Sequence, residues 1–158
     1  MHHLSIALPI LFIFCGCAAK RTSLPAIGYS AAIWEKGVKT VVKSQATNEQ
    51  VKELLADIVE NSDDMLQLVV TDSLIMKLKN GITCIEVSVD SPITTVFGNA
   101  NCSFSRLLIP INKDCKVESI VFYLGDRNTY FTPPGISSHG KKQLFKLLEL
   151  LNATGVIE

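Results

Sequence analysis

No excess of charge runs through this sequence. Its 158 residues carry 15 Lys+Arg against 15 Asp+Glu, a formal net charge of zero. Proteins that hold nucleic acid carry a basic surplus that neutralises phosphates, so nucleic acid is excluded as a partner. Histidine is scarce as well: there are 3, and His2 and His3 stand at the N-terminus, which leaves His139 as the one imidazole in the body of the chain. No H-E-x-x-H, G-x-S-x-G, G-x-x-x-x-G-K-[ST] or G-x-G-x-x-G string occurs. Zincin chemistry, a nucleophile elbow and a phosphate-cradling glycine loop are therefore not signalled. The 5 cysteines include no C-x-x-C, so neither a zinc knuckle nor a thioredoxin-like pair is indicated. Internal repeats and low-complexity blocks are missing too, which sets aside solenoids and disordered tails.

What is present begins with residues 4–14, LSIALPILFIF, an uncharged apolar run. It has the length of a signal-peptide core and falls short of the roughly 20 residues that span a bilayer. The run ends in Phe14-Cys15-Gly16-Cys17, which resembles the lipobox of bacterial lipoproteins. That resemblance implies a signal peptide over residues 1–16, acylation of Cys17 with palmitate-type chains, and attachment to a membrane through that lipid. Residues 17–30 then form a lipidated tether, with small residues, one Pro and one Gly and no period. Ala18 after the cysteine implies, in a Gram-negative host, sorting to the outer membrane with the domain facing the periplasm. A cut after Ala19 and an uncleaved anchor are the competing outcomes, and the short run with its Pro9 counts against the anchor.

Export places the rest of the chain where disulfides persist. With Cys17 lipidated, Cys84, Cys102 and Cys115 remain, enough for one intramolecular bridge. Cys84 with Cys102 is the expected pair, because the hairpin proposed below brings those stretches together. The competing reading makes all three small packed residues.

The body of the chain, residues 31–158, has the size of one domain. Over 31–43, Trp34, Val38, Val41 and Val42 fall at helical spacing, against Gly37 and the β-branched Thr40-Val41-Val42. Thr47-Asn48-Glu49-Gln50 reads as a capping box, and Val51, Leu54, Leu55, Ile58 and Val59 continue it as one apolar stripe. Leu66 to Thr71 and Leu74 to Lys79 read as short strands, with Asn80-Gly81 as a hairpin turn into the alternating Ile82 to Val89. Asp90-Ser91-Pro92 reads as a turn before a short strand over 94–97. Strands over 105–111 and 117–124 form a further hairpin about Asn112-Lys113-Asp114, and 129–132 adds an edge strand. Ser137 or Ser138 caps a last helix whose stripe is Leu144, Leu147, Leu148 and Leu151. The expected fold is α+β: an antiparallel sheet of about five strands with two flanking helices, in two layers.

Little chemistry stands out. No catalytic residue, metal ligand or cofactor site is assigned. Asp63, Asp64, Asp114 and Asp126 sit where turns are expected and satisfy local amides there. Lys141, Lys142 and Lys146 form a basic stretch in the last helix, read as a solvated face more than as a contact with anionic lipid. Arg127, Tyr130 and Phe131, beside the Pro133-Pro134 exit, are the candidate partner surface, since Tyr and Arg are enriched at interface hot spots. The function expected is a non-enzymatic envelope lipoprotein that binds an envelope protein partner or serves assembly. The alternatives are a small hydrolase or thiol enzyme using His139, and a carrier of a small apolar ligand.

Overall fold

The computed structural model describes residues 28–111 and 118–156. The signal peptide, Cys17, Cys115 and the expected turn at 112–114 lie outside the described residues. A hairpin opens the fold: β1 (Tyr29–Glu35) and β2 (Val38–Val42) pair antiparallel through Lys36-Gly37. Both turn residues take positive φ, 49° and 80°, as a two-residue loop matched to strand twist requires. The ambiguous pattern over 31–43 thus resolves as strands, and Gly37 with the β-branched run decides the outcome. Tyr29 and Ser30, expected as the end of the tether, belong to β1.

Helix α1 (Asn48–Glu60) starts at the anticipated capping box: the Thr47 side chain accepts from the Gln50 N–H while the Gln50 side chain accepts from the Thr47 N–H. Its Val51, Leu55, Ile58 and Val59 are buried. Only Asp64–Met65 (β3) is a strand in the region that follows, so 66–71 departs from the expected strand. The largest correction is α2 (Asp72–Gly81), where a strand and an Asn80-Gly81 hairpin were expected. Thr71 caps it by accepting from the Leu74 N–H, and Ile75 and Lys79, one turn apart, form its buried face. Gly81 takes no positive φ; it ends a helix before the chain turns extended at Ile82.

The hairpin that does form joins β4 (Thr83–Phe97) to β5 (Ala100–Ile111) through Gly98-Asn99, with φ +62° at Gly98. Asp90-Ser91-Pro92, expected as a turn, is instead an irregularity within β4, where the register shifts between Ser88 and Ile93. β6 (Ile120–Gly125) pairs with β5, and β7 (Gly135–Ser137) pairs with β6. The expected edge strand over 129–132 reduces to a single bridge from Tyr130 to Gly125. The result is a sheet of 7 strands in the order β2-β1-β4-β5-β6-β7-β3, antiparallel throughout.

Helix α3 (Lys141–Leu150) begins after Gly140 without a side-chain cap. Ser137 is buried in β7, and Ser138 is held by Asp63, so neither serves as the expected cap. Leu144, Leu147, Leu148 and Leu151 are buried as read from the sequence. They close over the sheet with α1 on Ile85, Val87, Phe104, Leu107, Ile109 and Phe122.

Strand alternation divides the sheet into two faces. Ile85, Leu107 and Phe122 meet α1 and α3, whereas their neighbours Cys84, Leu108 and Tyr123 join Ile75 and Tyr130 in a second, smaller cluster. Helix α2 packs on β1 and β4 above that cluster. The helices are thus not confined to one face, and the expected two layers gain a partial third.

Candidate functional site

The second face holds the unusual chemistry. β4 brings Glu86 to it between Cys84 and Ser88, and the residue is only 7% exposed. Three elements supply donors to its carboxylate. Lys79, on the buried side of α2, donates from Nζ to Oε1 at 2.8 Å, and Trp34 of β1 donates from Nε1 to Oε2 at 2.8 Å. The Tyr130 hydroxyl, in the segment after β6, donates to Oε1 as well. Arg106 of β5 adds a longer contact, its Nη1 standing 4.0 Å from the same oxygen.

Aromatic faces complete the setting. The Lys79 ammonium lies 4.2 Å from the Trp34 ring centroid, and the Arg106 guanidinium 5.2 Å from that of Tyr130. Such contacts stabilise a partly desolvated cation. Burial pushes the Glu86 carboxyl up, but hydrogen bonds from Lys79, Tyr130 and Trp34, with the Lys79 charge, outweigh it and hold the carboxyl below its ordinary range. Burial, reinforced by the Glu86 charge and hydrogen bond, drives the Tyr130 phenol well above its ordinary value. Near neutral pH Glu86 is thus an anion and Tyr130 a neutral donor.

Beside this cluster opens a pocket of about 440 Å³. Its lining carries four cationic side chains, Lys39, Lys79, Arg106 and Arg127, against two carboxylates, Glu86 and Asp90. Ser88 and Ser105 contribute hydroxyls, and Trp34 and Val89 the apolar surface. Lys79 is paired with Glu86. Among the described residues no carboxylate lies within ion-pair distance of Lys39 or Arg127. Both are exposed; Lys39 rests 5.6 Å from the Trp34 ring, and Arg127 donates from Nη2 to the Asp90 carbonyl at 3.1 Å. No protein-family model, curated protein or solved structure matches the chain. The site must be read from its own geometry.

Of the residues singled out from the sequence, Arg127 lines this pocket and Tyr130 lies beneath it. Phe131 does not join them: it is half-buried against the main core, while Tyr130 is 7% exposed. The three residues therefore do not make one exposed surface. The expected Cys84–Cys102 bridge is absent, and both are free thiols. Cys84 lies opposite Pro110 and Cys102 opposite Thr95. At ~3.3 Å per residue that separation is on the order of 30 Å, far beyond the reach of a disulfide. The two thiols also serve opposite faces, Cys84 in the smaller cluster and Cys102 against the main core.

Burial lifts the Cys84 thiol to about 11, with Lys79 opposing and Glu86 adding to the rise. His139 stands exposed before α3 with Asp63 as its charged neighbour, whereas Cys84 is buried among Lys79, Glu86 and Tyr123. Two of the turn acids satisfy local amides as expected: Asp64 accepts from the Met65 N–H at 2.7 Å, and Asp126 from the Asn128 and Thr129 N–H groups at 2.7 and 2.8 Å. Asp63 instead accepts from the distant Ser138, its hydroxyl at 2.6 Å, and Asp114 lies outside the described residues. Among the described residues, no group of three or more His, Cys, Asp or Glu is placed to hold a metal ion, and no helix is long and apolar enough to cross a membrane.

Lys79, Glu86, Trp34 and Arg106 were not singled out from the sequence. The available signal was Glu86 itself, a charge in the alternating run from Ile82 to Val89. Read as a hairpin strand, that run turns Glu86 toward water, and Lys79 falls in the preceding strand instead of on a helix above it.

Proposed function

We propose that this chain is a lipid-anchored protein of the bacterial envelope whose domain is a non-enzymatic binding module, with the cationic pocket as its binding surface. The single observation that carries the binding reading is the pocket of about 440 Å³ with two cations, Lys39 and Arg127, that no described carboxylate neutralises. Small-ligand sites are concave, largely pre-formed, and orient their ligand with a few fixed polar groups. Here the fixed groups are donors. Glu86 favours binding over acid–base catalysis: it is saturated by three donors and its carboxyl lies below the ordinary range, which makes it a poor base near neutral pH. The anchor rests on the apolar run and Gly16-Cys17, and Ala18 after it supports, in a Gram-negative host, sorting to the outer membrane with the domain facing the periplasm. Tethering raises the effective concentration of the pocket at that surface.

Two measurements test the reading. The native protein should begin at an acylated Cys17, and Cys17→Ala should release it from membranes; a free Lys20 start overturns the anchor. Envelope extract passed over immobilised wild-type domain should leave a ligand or protein that the Lys39→Glu, Arg127→Glu variant does not retain. Retention by neither, or equally by both, overturns the pocket as the binding surface.

A further inference from the structure

We infer that the pocket takes the phosphomonoester end of a small organic ligand, a class that includes soluble sugar or glycerol phosphates and phosphatidic-acid-type lipid headgroups. The inference rests on the binding reading above and specifies its ligand. The lining carries two more positive charges than negative. Glu86 is shared by Lys79 and Arg106, the Asp90 carboxylate is in no ion pair among the described residues, and Lys39 and Arg127 are the lining cations with no carboxylate in ion-pair distance among them. A monocarboxylate satisfies one of them; a phosphomonoester carries between one and a half and two negative charges near neutral pH, with three acceptor oxygens.

The donor types suit such a group. Arg127 spends one N–H on the Asp90 carbonyl and keeps the rest of its planar fork. Lys39 supplies a compact point charge from the exposed strand β2. Glu86 does not repel the ligand strongly, because Lys79, Trp34 and Tyr130 already cover its oxygens. The pocket is also larger than one phosphate needs. At about 440 Å³, bordered by Trp34 and Val89, it has room for an organic remainder against apolar surface.

The test is calorimetric titration of the chain from Cys17 onward, produced without its lipid, in low-salt buffer free of phosphate, with inorganic phosphate, glycerol 3-phosphate and succinate. Sedimentation with vesicles of phosphatidylcholine alone, and with added phosphatidic acid, runs in parallel. Glycerol 3-phosphate should bind one to one and more tightly than inorganic phosphate or succinate. Lys39→Ala and Arg127→Ala should each weaken it about tenfold, the loss expected for one charge-assisted contact. Both side chains are exposed, so circular dichroism and thermal unfolding should be unchanged.

Sedimentation with phosphatidic acid vesicles, lost in the two variants, identifies a lipid headgroup as the source; binding of the soluble ester alone identifies a soluble phosphate. Succinate binding as tightly as glycerol 3-phosphate, or an affinity indifferent to both substitutions, overturns the phosphomonoester assignment. If no phosphate binds while envelope extract still yields a ligand dependent on Lys39 and Arg127, this inference falls and the binding reading stands.

Discussion

Replacing Glu86 by Gln tests the energetics on which the second face depends. The substitution keeps the volume and one carbonyl acceptor, but it removes the charge and puts an NH₂ where the second oxygen accepted. Lys79 then keeps its ammonium, with a side chain 9% exposed, without its carboxylate at 2.8 Å. Either Trp34 or the Lys79–Tyr130 pair also meets a donor instead of an acceptor. Removing one partner of a buried ion pair costs ~3–5 kcal/mol. The Trp34 ring at 4.2 Å from the ammonium, and water in the adjoining pocket, offset part of that loss. We therefore expect about 3 kcal/mol, a large share of the ~5–15 kcal/mol that stabilises a domain. Urea unfolding followed by Trp34 fluorescence reads it as a lower midpoint with unchanged slope. Adding Lys79→Met to Glu86→Gln removes the stranded charge and should recover at least half of the loss. A single variant within about 1 kcal/mol of wild type, or a double variant no better than the single, refutes the reasoning. The pH dependence has a definite sign. Burial raises the Glu86 carboxyl, but the donors and the Lys79 charge lower it further, leaving it below the unfolded value. Its contribution is then complete above the unfolded pKa of ~4.3 and is lost as pH falls through the folded value. Glu86→Gln should flatten that part of the acid-unfolding curve.

Three further expectations follow from local geometry. A Cβ at Gly135 would lie 2.2 Å from Cζ of Phe122, which is fully buried, so Gly135→Ala should cost ~1–3 kcal/mol in the same urea assay; wild-type stability would mean that β7 moves freely away from β6. Cys84 is completely buried with its thiol lifted to about 11, and Cys102 is half-buried. Iodoacetamide on the native protein should label Cys102 well before Cys84, and both should be labelled after denaturation without reductant; a reductant requirement for either would show that it is bridged. Thr47→Ala removes the side-chain acceptor of the capping box and should cost ~1 kcal/mol, while Thr47→Asp should stay near wild type.

The readable parts of this fold are those in which local and tertiary preferences agree. Thr47 and Gln50 meet each other within a few residues, and the stripe from Val51 to Val59 has nowhere to go but the core. Leu144 to Leu151 behaves likewise. The unreadable parts are those in which one string suits two structures. Leu74, Ile75 and Leu78 alternate poorly as a strand, yet Asn80-Gly81 after them is the strongest short hairpin signal. What decides for α2 is distant: Cys84, Leu108 and Tyr123 offer an apolar patch that a strand could not cover as Ile75 does. Lys36-Gly37, not read as a turn from the sequence, makes a hairpin, and β1 finds a second partner in β4. The site inherited the error at α2. With 72–81 read as strand, Lys79 has no route to Glu86, and a buried ion pair reads as two unrelated surface charges.

The division of the sheet also explains why the pocket sits where it does. On the first face, α1 and α3 seal a continuous apolar core, and the buried Thr95 on that face is satisfied by Glu60 of α1. On the second face α2 packs mainly on β1 and β4, and its last turn ends at Gly81. Beyond that end the sheet needs some means of tolerating incomplete cover. Glu86 provides it by drawing Lys79, Trp34, Tyr130 and Arg106 from four different segments onto one carboxylate. A purely apolar patch there would be an exposed liability; a charged one without Glu86 would repel itself. The same carboxylate pairs with Lys79 and contacts Arg106, while Lys39 and Arg127 face the pocket with no carboxylate in ion-pair distance among the described residues. Stability and binding are therefore assigned to different cations, so Lys39 and Arg127 can be changed without unfolding the domain whereas Lys79 and Glu86 cannot.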